Sequence, residues 1–225
     1  MEPATVDSSL ILNLFASDPT AGLVLMTVDG RITYANEQAA RLFSNGATGA
    51  PDFVGKSIYE ILPRDAAEHR LAIHQRVRET GQSATLRVIW HGWQQLTWVQ
   101  YIRPAASDRA RPEHADGHFL LVTRRVGGSP ESQQLGAEPS TVIELEYARL
   151  GPLNTLSARE LEVLALIGEG QTTPQIAKVL HRSEKTIEKH RASLTRKLHC
   201  EQRLELAEIA RRAGLTLRDA ERIRI

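Results

Sequence analysis

The 225-residue chain holds a single cysteine, Cys200. No intrachain disulfide can close on it, and a zinc site built on several thiolates is excluded. Long apolar runs are missing as well: none approaches the roughly 20 residues that a membrane-spanning helix needs. The opening MEPATVDSS is acidic and lacks the basic start of a secretory signal. These absences point to a cytoplasmic protein without a membrane segment. No glycine-rich phosphate loop, paired-carboxylate centre or Ser-His-Asp arrangement stands out, so an enzyme is not expected. An excess of one charge is lacking too, with 28 Lys and Arg against 27 Asp and Glu.

That balance hides an asymmetry. Residues 151–225 carry 14 Lys and Arg against 10 Asp and Glu, a net +4, whereas residues 1–150 carry 14 against 17, a net −3. The length suits two small domains, each with its own core. The basic end is the one a polyanionic partner would favour.

The stretch from Ser157 to Leu198 lies in that basic end and parses into three short helices. Ser157 is a good N-cap, and Glu160 three residues later completes a capping box. Leu161, Leu164 and Ala165 follow at helical spacing, and Gly170 is placed to end the helix. Thr173 can cap a second helix with Pro174 at its first position. Its apolar side is Ile176, Ala177, Val179 and Leu180. A tight turn at His181 and Arg182 leads to Ser183, which can cap a third helix over 184–198. On that helix Ile187, Leu194 and Leu198 form one stripe, with His190 and Arg191 at its edges. Lys185, Glu188, Lys189, Ala192 and Arg196 form the opposite one. Six Lys and Arg stand against two Glu from Arg182 to Lys197. A short helix, a tight turn and a basic second helix make a helix-turn-helix, whose second helix can enter the major groove. The bland reading is a small bundle with a solvated charged face.

The run Leu156-Ser157-Ala158-Arg159-Glu160-Leu161-Glu162-Val163-Leu164, then Gly170, Ile176-Ala177, Leu180, Ser183, Lys185-Thr186-Ile187, His190 and Lys197-Leu198 resembles the LuxR-type (GerE-type) DNA-binding domain. The resemblance covers roughly residues 156–215, about a quarter of the chain. It implies that the third helix reads double-stranded DNA and that a fourth helix often mediates dimers. Lys185, Glu188, Lys189 and Ala192 are then the base-contact candidates, and Thr173, Thr186, Ser193 and Arg196 the phosphate-contact candidates. His190 would support the helix from inside. Glu188 departs from the basic residue usual in the family; a carboxylate can accept a hydrogen bond from cytosine N4. A fourth helix is expected over 203–213, with Leu206, Ile209, Ala210 and Ala213 on one face and Gly214 as its stop. That face either pairs with a second copy on DNA or covers the three-helix core. Thr216 with Asp219 can cap a final turn.

Earlier in the chain, Leu10, Ile11, Leu14 and Phe15 suggest a short amphipathic helix. It packs on its own domain or pairs with the same helix of another subunit, the latter being the expected free-dimer contact. Asp29-Gly30 between two apolar runs signals a hairpin over 23–35. Asn36 can cap the helix EQAARLF, residues 55–62 read as a short helical piece, and residues 65–80 as a longer helix closed by Gly81. Strands are expected over 85–90, 96–102 and 118–126, with Gly92 in the first turn between them and a long polar loop from Pro104 to Gly117. Residues 127–141 are linker by composition, and TVIELEYARLGPLNT fits a helix or a strand.

This order of elements, with Asp18-Pro19, Asp29-Gly30, Asn36 with Ala39-Ala40, Val54-Gly55-Lys56 and Thr80-Gly81, resembles a PAS domain over about residues 8–127. The resemblance implies a sensory or dimerising module with a small-molecule pocket between sheet and helices. The cysteine that a LOV-type flavin site or a covalent chromophore needs is absent from this part. Haem remains open through His69 or His74 on the long helix, although five residues apart they point in different directions.

The fold class is therefore α+β: a PAS-like antiparallel five-stranded sheet with flanking helices at 1–127, a linker at 128–152, and an all-α helix-turn-helix domain of four helices at 153–225. The functional reading is a dimeric transcriptional regulator. Its rivals are a sigma-factor-like subunit, which would need a further helical domain, and a PAS signalling adaptor whose basic helix is only surface.

Overall fold

The computed structural model describes residues 17–104, 116–127, 142–200 and 202–225. The amphipathic segment with Leu10, Ile11, Leu14 and Phe15 lies outside them, as do most of the polar loop and the linker expected at 127–141. The described residues fall into two compact units. One comprises those within Met1–Leu86, Thr97–Arg124 and Glu138–Ile143, the other those within Arg87–Leu96, Arg125–Ala137 and Glu144–Ile225.

The first unit begins with β1 (Gly22–Thr27) and β2 (Ile32–Ala35), an antiparallel pair joined where Asp29-Gly30 predicts a hairpin. Gly30 sits at φ 90°, a left-handed conformation that costs glycine little. Asn36 caps α1 (Glu37–Ser44) by accepting from the Ala39 amide at 2.8 Å. The same carboxamide accepts from the Leu23 amide and donates to the Ala21 carbonyl, each at 2.9 Å, so the cap also fastens the helix to β1. The short α2 (Ile58–Ile61) starts on the Ser57–Glu60 capping box. The long α3 (Arg64–Thr80) ends at Gly81 and buries Ala66, Ala67, Arg70, Ile73, His74 and Val77, a helical repeat on one side.

Next come β3 (Ala84–Trp90), β4 (Trp93–Ile102) and β5 (His118–Arg125). Among the described residues the sheet has six strands rather than the five expected, in the order β2-β1-β5-β4-β3-β6, where β6 is Val142–Glu144. The first five, with the helices inserted between β2 and β3, make the PAS-like arrangement. The sequence leaves this segment open between helix and strand, and the structure makes it strand at Val142–Glu144. From residue 142, then, the expected linker 128–152 holds β6, β7 (Tyr147–Ala148) and the start of a 3-10 turn (Gly151–Thr155).

The second unit is built on α4 (Ala158–Gly168), α5 (Thr173–Val179), α6 (Glu184–Leu198) and α7 (Arg203–Ala213). After Gly214 a 3-10 turn, Leu217–Glu221, opens on the expected Thr216–Asp219 capping box, and β8 (Ile223–Arg224) pairs in parallel with β7. One apolar core joins Leu161, Leu164 and Ile167 of α4, Ile176 of α5, Ile187 and Leu194 of α6, and Leu206, Ala210 and Ala213 of α7; Ile209 packs against it. The fourth-helix face offered as a dimer contact is thus spent inside the chain. A built Cβ on Gly168 would lie 2.6 Å from the Ala210 Cβ, so α4 and α7 approach at a distance only glycine and alanine allow.

A buried ionic cluster completes this unit. The Arg87 guanidinium on β3 is fully buried, 2.6 Å from Glu144 and 3.1 Å from Asp219. It also donates to Gln94 Oε1 at 2.7 Å and to the Gly214 carbonyl. Arg222 bonds the same two carboxylates and the Leu145 carbonyl. Burial alone would raise the Asp219 carboxyl, but Arg87 and Arg222, with the Thr216 amide, hold it below the ordinary carboxylate value.

Candidate nucleic-acid interface

Three capped helices position the site. Ser157 caps α4 and accepts from the Glu160 amide at 3.2 Å, while Glu160 Oε2 accepts from the Ser157 amide at 2.7 Å. The cap of α5 is Thr172, one residue before the expected Thr173, which places Pro174 at the second helical position. The shift follows from Gln175: it stands three residues after Thr172, and its Oε1 accepts from the Thr172 amide at 2.7 Å. Gly170, at φ 85°, closes the preceding helix as expected. Ser183 caps α6 by accepting from the Thr186 amide at 3.2 Å.

Fully buried Ile187 and Leu194 anchor α6 to the core. Its opposite stripe, Lys185, Glu188, Lys189, Ala192 and Arg196, is exposed along its whole length. All four base-contact candidates therefore face outward on one side of one helix. Not every basic residue is available to a polyanion. Lys197 donates to Glu160 Oε2 at 2.7 Å and to the Thr155 carbonyl at 3.0 Å. Arg191 donates to Thr173 Oγ1 at 2.8 Å, tying α6 to the start of α5. Lys185, Lys189 and Arg196 remain as the outward positive set.

The phosphate-contact candidates divide. Arg196 is exposed, and Thr173 and Thr186 are half-buried. Ser193 needs correction: its hydroxyl donates to Glu160 Oε1 at 2.6 Å, so it turns inward to α4 and serves the scaffold. His190 lies half-buried at the edge of the stripe. Periodicity alone cannot reveal the Glu160 role, because it depends on a residue 37 positions away. Burial by itself would raise this carboxyl; bonds from Lys197, Ser193 and Ser157 outweigh it and bring it down to about 2. One carboxylate thus caps α4 and clamps the C-terminal half of the exposed helix.

In the first unit, His69 is half-buried and His74 lies wholly in the core. The cavity beside Arg70 on the same helix measures about 40 Å³, and neither histidine lines it. Among the described residues no group of three or more His, Cys, Asp or Glu is placed to hold a metal ion. No described helix is long and apolar enough to cross a membrane.

The sequence profile of the bacterial regulatory proteins of the luxR family (GerE) matches residues 154–210. The uncharacterized response regulatory protein YgeK of Escherichia coli K12 is 42% identical over 62 residues, 28% of this chain and 42% of that protein. The oxygen regulatory protein NreC of Staphylococcus carnosus TM300 is 42% identical over 59 residues, 26% of this chain and 27% of that protein. The chain thus spans less than half the length of either relative. Among solved structures, Vibrio cholera VqmA in a ligand–DNA complex is 20% identical, covering 95% of this chain and 92% of that one, with a TM-score of 0.49. Residues 154–210, three capped helices with the fourth packed behind them, match the luxR-family model along their length.

Proposed function

We propose that this protein is a cytoplasmic, sequence-specific DNA-binding regulator of transcription. In this reading α6 enters the major groove, and the PAS-like unit senses a signal or pairs two copies. The observation that carries it is the exposed stripe of Lys185, Glu188, Lys189, Ala192 and Arg196 on a helix whose other face is locked into a luxR-type core. Lys185 and Lys189 suit guanine O6 and N7, Glu188 suits cytosine N4, and Ala192 suits a thymine methyl. Arg196, Thr173 and Thr186 suit phosphates, which position the helix without reading sequence.

One helix-turn-helix covers little DNA, so two copies at half-sites about 34 Å apart are expected. With the apolar face of α7 spent in the core, Leu10, Ile11, Leu14 and Phe15 are the pairing residues this reading retains. The reading includes no catalytic step. A sigma-factor-like subunit is disfavoured by the sheet-rich part of the chain up to Arg125.

The adaptor reading is separated by a titration. The full chain should bind duplex DNA with log K falling linearly in log salt, at about −0.9 per neutralised phosphate. A salt-independent affinity, or no binding at low salt, would favour the adaptor.

A further inference from the structure

Hydroxyl groups cluster around α5 and α6, and most give their hydrogen to a group inside the chain. Thr172 Oγ1 donates to Gln175 Oε1 at 2.8 Å, Ser193 to Glu160 Oε1 at 2.6 Å and Thr195 to the Ala192 carbonyl at 3.0 Å. The Ser183 and Thr186 oxygens lie 2.8 Å apart, so one of those two hydrogens is used there. Thr173 differs. Its Oγ1 accepts from Arg191 Nη1 at 2.8 Å, and it donates to no group among the described residues. The direction of this bond is unambiguous, because a guanidinium carries donors and no acceptor. One lone pair of the hydroxyl is therefore taken and its hydrogen remains to be given.

The bond spans 18 residues and joins the start of α5 to the middle of α6. Thr173 and Arg191 are both half-buried, so both reach solvent. Arg191 stands at the edge of the exposed stripe, one position before Ala192 and three after Glu188. A threonine side chain is stiff at χ1, and the charged donor fixes the rotation of its hydroxyl. In a chain that runs from guanidinium through O–H to an anion, each bond polarises the next in the same sense. Duplex DNA presents that anion as a backbone phosphate oxygen.

We propose that Arg191 is a positioning residue for DNA binding: by donating to Thr173 Oγ1 it turns the Thr173 O–H outward, and that hydroxyl donates to a backbone phosphate. The inference rests on the reading of α6 as the helix that enters the groove. Arg191 then neutralises no phosphate itself.

The test uses the full chain on a selected duplex and a random duplex across a salt series, with melting temperature as the check on folding. Thr173→Val and Arg191→Met should each weaken both duplexes alike, by about 10-fold, as loss of a hydrogen bond to a charged group does. The double variant should stay within about twofold of either single one, because the two residues act as one unit. Thr173→Ser keeps the hydroxyl and should bind like the native chain. Arg191→Met should leave the salt slope unchanged, whereas a direct phosphate contact would lower it by about one. If Arg191→Met does not fold, Arg191→Gln, which removes the charge and keeps a polar chain, should give a several-fold loss at the same slope. A purely structural role would lower melting temperature without these losses at temperatures where the variants are folded. Affinity within twofold of native in Thr173→Val or the Arg191 variant, losses that multiply in the double variant, a slope lowered by one, or Thr173→Ser as weak as Thr173→Val overturns the proposal alone. No salt-dependent binding by the native chain removes the DNA reading, and this proposal with it.

Discussion

Arg87→Ala is expected to destabilise the second unit by about 3–5 kcal/mol, the range for removing one partner of a buried charge pair. The Asp219 carboxylate that it faces is itself fully buried, so it cannot recover its lost partner from water. Arg222 and the Thr216 amide stay beside Asp219 and limit the damage. The Gly214 carbonyl and Gln94 lose a donor as well. Urea unfolding followed by the fluorescence of buried Trp90 reads the effect. A double-mutant cycle with Asp219→Asn should show coupling of roughly 0.5–3 kcal/mol, the range for residues within one network. A loss below about 1 kcal/mol for Arg87→Ala would mean the cluster is solvated in solution. Because Asp219 is held below its ordinary value, its contribution is complete above that value and fades on acidification beneath it.

The second large effect belongs to Glu160. Glu160→Ala removes half of a capping box, about 1 kcal/mol, and takes a charged acceptor from Ser193 and Lys197, so a total of about 2–4 kcal/mol is expected. The Lys197 side chain is 32% exposed and is partly resolvated by water, which argues against the upper end. The pH dependence has a definite sign. The folded-state value of about 2 lies below the ordinary 4.5, so this stability is complete above about pH 4.5 and is lost as pH falls toward 2. Melting temperature against pH, compared between the native chain and Glu160→Gln, should converge in that window. Parallel curves down to pH 2 would deny the carboxylate its role.

These two clusters mark where the sequence is legible. Ser157, Ser183, Asn36 and Gly214 announce their helix ends through local rules that act within three or four residues, and the structure puts them at those ends. Thr172 and Thr173 are both good caps, and only the position of Gln175 decides between them. Thr216–Asp219 is legible as a capping box, but the partnership of Asp219 with Arg87, 132 residues away, leaves no periodic trace. Helical periodicity likewise finds the face of Leu206, Ala210 and Ala213 without saying what covers it; here it is the core of the same chain. The outward face of α6 was legible because burial of Ile187 and Leu194 fixes everything opposite them, whereas the inward turn of Ser193 depends on Glu160 and was not. A fragment cut at residue 151 would lose Arg87, Glu144 and β7, so the full chain is the right material for measurement.

If α6 acts as proposed, its exposed stripe reads base edges and Arg196 only positions it. Binding of the full chain, Lys189→Ala and Arg196→Ala is measured on a duplex selected for tight binding and on a random duplex, across a salt series. Lys189→Ala should lose about 1–3 kcal/mol of discrimination at particular base pairs while still binding random DNA. Arg196→Ala should weaken both duplexes alike and reduce the salt slope by about one. Equal losses on both duplexes for Lys189→Ala, with discrimination intact, would contradict the assignment of the reading face.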